Sequence, residues 1–127
     1  MKLESQITAR ELSERLRDLG VKQLGTFYWR QQEGGPWSIA TAEELAGAAE
    51  FVFAPNVAEL GVTLPFNAIG QRIEAKTPYW VHYFEEDNLT GRNFDAMTEA
   101  DARAKMLIHL LEQKLITVEE VNARLSA

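Results

Sequence analysis

The segment from residue 99 to residue 116, EADARAKMLIHLLEQKLI, constrains the fold more than any other part of the sequence. At about 100° per residue, its apolar side chains gather on one broad face and its polar ones fill the opposite arc. The apolar members are Ala100, Ala104, Met106, Leu107, Ile108, Leu110 and Leu111. The pattern predicts a helix that begins after Thr98, ends near Lys114 and packs on a core. Arg103 departs from it, because this guanidinium projects from the apolar side.

Size and composition indicate one globular domain, residues 1–127. Of the 127 residues, 46% are hydrophobic and 25% charged, which is enough apolar material for a core. A formal net charge of −6 argues against binding to nucleic-acid polymers, which requires many Lys and Arg. The absence of cysteine excludes disulfides and thiol catalysis. No signal peptide and no apolar run of about 20 residues is recognisable, so we expect a cytoplasmic protein without a membrane partner.

The predicted elements run in the order helix, strands with short helical inserts, then helices. The first helix is predicted at residues 5–19, with Ser5 or Thr8 as its cap. The predicted strands and hairpin are 26–30, 37–40, 50–55 and 68–86, the hairpin turning at KTP (76–78). The predicted short helices are 41–49, 56–61 and 118–126. The polar, glycine-bearing segment 86–97 is predicted to be a loop.

This order predicts an α+β fold. We expect an antiparallel sheet of four or five strands, with an N-terminal helix and a long C-terminal helix packed on one face. In the strand TFYWR (26–30), Phe27 and Trp29 share one face, and we expect Tyr28 and Arg30 to point outward.

Common enzyme motifs are missing from the sequence. It has no glycine-rich phosphate loop, no paired-histidine zinc motif and no nucleophile elbow. His82 and His109 lie on different predicted elements, so no metal site is predicted. Glu85, Glu86 and Asp87 follow one another, and consecutive strand residues point to opposite faces, which favours a solvated charge run. We therefore expect a protein that is not an enzyme, with no catalytic residues and no cofactor.

The best candidate for a binding site is the strand YWVHYF (79–84) with the loop and helix that follow. Trp80, His82 and Phe84 fall on one face of this strand. If helices cover only the other face, this row of rings can stack on a base. The alternative is that helices bury one face and a partner subunit buries the other, which makes the protein a homo-oligomer.

Arg103 adds positive charge to this candidate site. A buried guanidinium must pair with a carboxylate, reach solvent or meet an anionic ligand. The chain has 19 acidic residues that could supply an ion pair. Against this, Arg103 lies near the start of its helix, where free N–H groups favour anions. The predicted pocket has Arg72, Arg92 and Arg103 on phosphates, Asn93 on a base edge, and Trp80, His82 and Phe84 as its floor.

Three segments resemble small hypothetical proteins of tailed phages and prophages: LGVKQLGTFYW, APNVAELGVTLP and EADARAKMLIHLLEQKLI. The resemblance covers most of the chain and carries no site residues. The segment TAEELAGAAE (41–50) departs from the pattern and leaves the pairing of the neighbouring strands open. The resemblance implies an accessory protein that acts in the host cytoplasm during infection or lysogeny.

By analogy, small acidic phage proteins of this kind are often counter-defence factors. Some, such as the Thoeris inhibitors, are oligomeric sponges for a nucleotide signal. We therefore expect a binding protein that sequesters a small phosphorylated ligand such as a cyclic nucleotide. Two alternatives stay open: an inhibitor that occludes a host defence protein, and a purely structural oligomer.

Overall fold

The structure is a computed structural model that describes residues 2–65, 68–72, 79–85 and 88–126. Within these ranges, the side chains of residues 69–72, 80, 82–85 and 88–93 lie outside the description. The predicted KTP turn (76–78) lies outside the described residues, and so do Glu86 and Asp87 of the acidic run.

Six strands make up the β-structure of the described residues. They are β1 (Phe27–Gln31), β2 (Trp37–Thr41), β3 (Glu50–Phe53), β4 (Ala68–Arg72), β5 (Tyr79–Glu85) and β6 (Asn88–Ala96). They form two antiparallel three-stranded sheets: sheet 1 in the order β2-β1-β3, and sheet 2 in the order β4-β5-β6.

Helices connect and cover these sheets. The α-helices of the described chain are α1 (Arg10–Asp18), α2 (Val57–Thr63), α3 (Glu99–Glu112) and α4 (Val118–Leu125). α2, α3 and α4 each follow a residue whose side-chain oxygen accepts an N–H from the first turn. These N-cap residues are Asn56, Thr98 and Thr117. The helix predicted at 41–49 is only a 3-10 turn, Ala42–Leu45.

The fold is α+β, but the single sheet of four or five strands that the sequence predicts is wrong. Both edges of β1 are occupied, one by β2 and the other by β3. The later strands do not extend sheet 1 at β2 or β3 but form a sheet of their own, in which β5 pairs on one side with β4 and on the other with β6. Because α3 packs on sheet 2 whereas α1 packs on β3 and α3, the two helices do not cover one common sheet.

The start of the first helix also differs from the prediction. Thr8 is fully buried, and both its N–H and its hydroxyl donate to the Pro55 carbonyl oxygen, so it does not cap α1. The N-cap is Ala9, whose N–H donates to Oδ1 of Asp101 at 2.8 Å. A carboxylate from α3 thus takes the place of the predicted local cap.

The main core lies between α3 and the elements around it. All seven apolar residues of the predicted α3 face are buried, and they pack with residues of sheet 2, α1, α2 and α4. Val81, at the centre of β5, is 1% exposed and belongs to this cluster. The covered face of β5 is therefore the one that carries Val81.

Candidate functional site

Three of the residues predicted from sequence share one face of sheet 2. In the strand register, Trp80 lies opposite Asp95, and His82 lies opposite Asn93. Since residues directly opposite each other occupy the same face, positions 80, 82 and 93 lie together, on the face opposite to Val81. Phe84 falls at an irregularity in the β5–β6 pairing. The side chains of these four residues are outside the described part of the structure.

Arg72 and Arg92 occupy the other face of the same sheet. Arg72 lies opposite Tyr79, and Arg92 lies opposite Tyr83. Positions 79, 81 and 83 alternate with 80 and 82, so both arginines fall on the face that α3 covers. Their side chains also lie outside the description. The backbone of sheet 2 thus stands between these two positions and those of Trp80, His82 and Asn93.

Arg103 forms an ion pair within α3. Its Nη2 lies 2.9 Å from Oε1 of Glu99, one turn earlier, and the Arg103 side chain is 24% exposed. The guanidinium extends over α2, where a Cβ added at Gly61 would lie 2.8 Å from its Nη1. Its Nε is buried without a hydrogen-bond partner among the described residues. The ion pair left open by the sequence is the arrangement seen, and a ligand contact of Arg103 stays a prediction.

A groove on the opposite side of α3 combines positive charge with an aromatic ring. It is open to solvent and has a volume of about 380 Å³, in the range of small-molecule sites. It is lined by Leu12, Arg15, Phe94, Lys105, Ile108, His109 and Glu112. We call it the α1–α3–β6 groove. Glu112 follows Arg103 by nine residues, which is about 180° around the helix axis, so Arg103 points away from it.

Three elements, α1, α3 and β6, build the groove, and together they supply its charged, aromatic and aliphatic side chains. On α3, Lys105, His109 and Glu112 are spaced i, i+4 and i+7, which aligns them in one stripe. On α1, Leu12 and Arg15 are three residues apart and form the facing wall. β6 supplies Phe94, whose ring centroid is 5.2 Å from that of His109. The register places Arg92 two residues before Phe94, on the same face of the strand.

The charged side chains of the groove make contacts within the protein, and Arg15 and Lys105 have further N–H donors. Nη2 of Arg15 lies 2.6 Å from Oε2 of Glu112, and the two side chains are 48% and 40% exposed. Nζ of Lys105 donates to the Asp95 carbonyl oxygen at 2.8 Å. An ammonium has three donors and a guanidinium five, so each cation can bind a further acceptor.

The sequence did not identify this groove. From the sequence, Arg15 is predicted to be one of several charges on a surface helix, His109 an exposed polar residue, and Phe94 part of a loop. The α3 stripe was visible at helical spacing, but its facing wall comes from residues about 90 positions earlier in the chain. Only the folded arrangement brings them together.

Comparison with protein-family models, curated proteins and solved structures gives no match. Among the helices that the structure describes, none is long and apolar enough to span a membrane. Within the same residues, His, Asp and Glu form no group of three or more that could hold a metal ion.

Proposed function

We propose that this protein is a non-enzymatic binding protein that sequesters a small phosphorylated ligand in the α1–α3–β6 groove. The observation that carries the proposal is that Arg15 and Lys105 line the same groove as the ring of Phe94. A guanidinium and an ammonium bind phosphate oxygens strongly. An aromatic ring provides a surface on which a nucleobase stacks.

The overall charge of the chain makes the presence of two cations in one groove more informative. The protein has 19 acidic and 13 basic residues, so a random patch of its surface is expected to be negative. A groove with two cations and one carboxylate runs against that background, and it would concentrate an anionic ligand locally. A cyclic nucleotide joins an anionic and a flat aromatic part and therefore suits the groove. In the phage context that the sequence resembles, its sequestration would act in counter-defence.

The test is a binding screen of the purified protein against cyclic and linear nucleotides, including cyclic ADP-ribose isomers, by thermal shift and then calorimetry. A ligand at 100 times its Kd stabilises the fold by about 2.7 kcal/mol, which raises Tm by several degrees. We expect Arg15→Gln to raise the Kd of the bound nucleotide about tenfold, because the substitution removes one charge-assisted contact.

Arg17→Gln is the matched control for this experiment. Arg17 lies on the same helix, about 200° away from Arg15 around the axis, and pairs with Asp18 at the surface. The Arg17→Gln variant should bind nucleotides with the affinity of the wild-type protein. A screen with no stabilising nucleotide, or equal losses in both variants, would overturn the proposal.

A second candidate function, assembly into a homo-oligomer, is favoured by a separate apolar surface. Leu24 and Val62 are 54% and 56% exposed, and both line a groove of about 260 Å³ beside Leu125 of α4. Exposed aliphatic side chains around one groove are typical of an interface. If copies associate here, Val62→Asp should shift the mass measured by light scattering to that of a monomer, whereas Leu115→Asp, at another exposed leucine, should not.

A further inference from the structure

We infer that the α1–α3–β6 groove selects ligands that carry two anionic groups, one for each end of the groove, and a flat ring system. This inference rests on the proposed function and specifies its ligand class. Lys105 would hold one anionic group, Arg15 the other, and the rings of Phe94 and His109 the flat part.

The spacing follows from the α3 stripe. Lys105 and Glu112 are seven residues apart, which at 1.5 Å per residue separates their Cα atoms by about 10 Å along the axis. Arg15 reaches the Glu112 end of the groove, with 2.6 Å between the charged atoms. Lys105 marks the other end, where it donates to the Asp95 carbonyl oxygen. The two cations therefore stand at opposite ends of the groove rather than around one point.

Two rings and two aliphatic side chains line the middle of the groove. His109 lies between the two ends on α3, and its ring packs against Phe94 at 5.2 Å with an interplanar angle of 46°. Leu12 and Ile108 line the same groove. A single phosphate at one end of the groove does not reach the cation at the other end, whereas a ligand that carries two anionic groups and a flat ring can engage both cations and the rings.

Glu112 occupies the place of the second anionic group in the free protein. Its carboxylate pairs with Arg15, and both side chains are well exposed. Exposed ion pairs contribute little to stability, so a phosphate of higher charge can replace the carboxylate at small cost. Glu112 is thus an internal competitor for the Arg15 end, and it does not affect an anion held only by Lys105.

The experiment compares two nucleotides by calorimetry: adenosine 5′-monophosphate, with one phosphate, and the linear dinucleotide pApA, with two. We expect the wild-type protein to bind pApA about tenfold more tightly. Arg15→Gln and Lys105→Gln should each weaken the binding of pApA about tenfold, whereas only one of them should weaken the binding of the monophosphate. Glu112→Gln should tighten the binding of pApA roughly two- to fivefold, because it removes the exposed ion pair that competes with the ligand for Arg15. Glu119→Gln, an exposed carboxylate of α4, is its control.

The outcomes separate this inference from the proposed function. Equal affinity for the two nucleotides, or loss of pApA binding in only one cation variant, would overturn the two-anion inference and leave a single-phosphate site. If neither nucleotide binds any of the proteins, the inference fails, and the nucleotide screen then decides the proposed function. Unchanged circular dichroism spectra of the variants exclude misfolding as the cause of a loss.

Discussion

Gly25 lies where any side chain would collide with a buried ring. A Cβ there would overlap the ring of Phe53 and lie 2.5 Å from Oε2 of Glu59. Phe53 is 1% exposed, so its ring has little room to move. We expect Gly25→Ala to lower the free energy of unfolding by about 1–3 kcal/mol, the usual cost of overpacking a core. Urea denaturation followed by circular dichroism measures this loss.

Gly35→Ala is the control for this substitution. Its Cβ would meet its nearest atom, the Gln32 carbonyl oxygen, at an ordinary 3.4 Å. We expect a change within about 0.5 kcal/mol, as for most surface substitutions. If the two alanine variants have the same stability, the collision at Gly25 is absent in solution.

Arg103 contributes a local ion pair rather than a groove contact. Pairs spaced i and i+4 on a helix contribute about 0.3–0.5 kcal/mol, and the Nε atom of Arg103 is buried without a partner among the described residues. We therefore expect Arg103→Met to change stability by less than about 1 kcal/mol. Nucleotide affinity should stay at the wild-type value, because Arg103 points away from the groove. A tenfold loss of nucleotide affinity in the Arg103→Met variant, measured by calorimetry, would mean that Arg103 contributes to the binding site.

At the scale of elements, β6 shows where sequence patterns were insufficient. The segment 86–97 is polar and contains Gly91, which favours a loop. Residues 88–96 nevertheless form a strand, because they complete sheet 2 beside β5 and place Phe94 and Ala96 against the core. Their partner lies outside the segment itself, so local propensity could not reveal the strand.

β1 shows the same limit within a correctly located strand. The alternation of TFYWR was clear, but the prediction that Tyr28 points outward is wrong, since it is 3% exposed. Its ring packs against Phe51 and Phe53, and its hydroxyl oxygen accepts the Gly25 N–H. Both ring contacts come from the neighbouring strand β3. Alternation identifies two faces but not which of them the rest of the chain covers.

Asp101 ties two helices together. It lies in the first turn of α3, and its carboxylate accepts the N–H of Ala9, the N-cap of α1. We expect Asp101→Ala to cost about 1.5–3 kcal/mol, because a hydrogen bond to a charged group is lost and a helix N-terminus loses its acceptor. Asp101→Asn, which keeps an oxygen, should cost less. Thermal unfolding measures both.

Glu119→Ala tests whether the Asp101 effect comes from the cross-helix bond. Glu119 also lies in the first turn of its helix, α4, but it is exposed. Its loss should cost no more than about 0.5 kcal/mol, the usual limit for surface substitutions. Similar losses in the alanine variants of Asp101 and Glu119 would mean that only the helix dipole is involved.

At the scale of the whole molecule, the two sheets have separate apolar surroundings. Sheet 2 belongs to the core cluster around α3, and among the described residues that cluster includes none from sheet 1. The packing of α1 on β3 and several polar contacts join the parts. Trp29 of sheet 1 donates to the Thr8 carbonyl oxygen, and Thr26 donates to Glu59 at the start of α2. The sequence predicted one domain, and such a domain unfolds cooperatively if these contacts couple the two sheets.

Leu107→Ala tests this coupling, because Leu107 is 1% exposed and belongs to the core cluster, which among the described residues includes none from sheet 1. Removing its side chain should cost about 2–5 kcal/mol, a large part of the stability of a small domain. If these contacts couple the sheets, amide exchange of Val52 in β3 and of Val81 in β5 should accelerate by the same factor, since both then exchange through one global opening. Leu115→Ala, at a leucine that is 45% exposed, should accelerate neither. Wild-type protection of Val52 in the Leu107 variant would instead mean that sheet 1 keeps its structure while sheet 2 opens, and the groove on α3 would then belong to the less stable half of the protein.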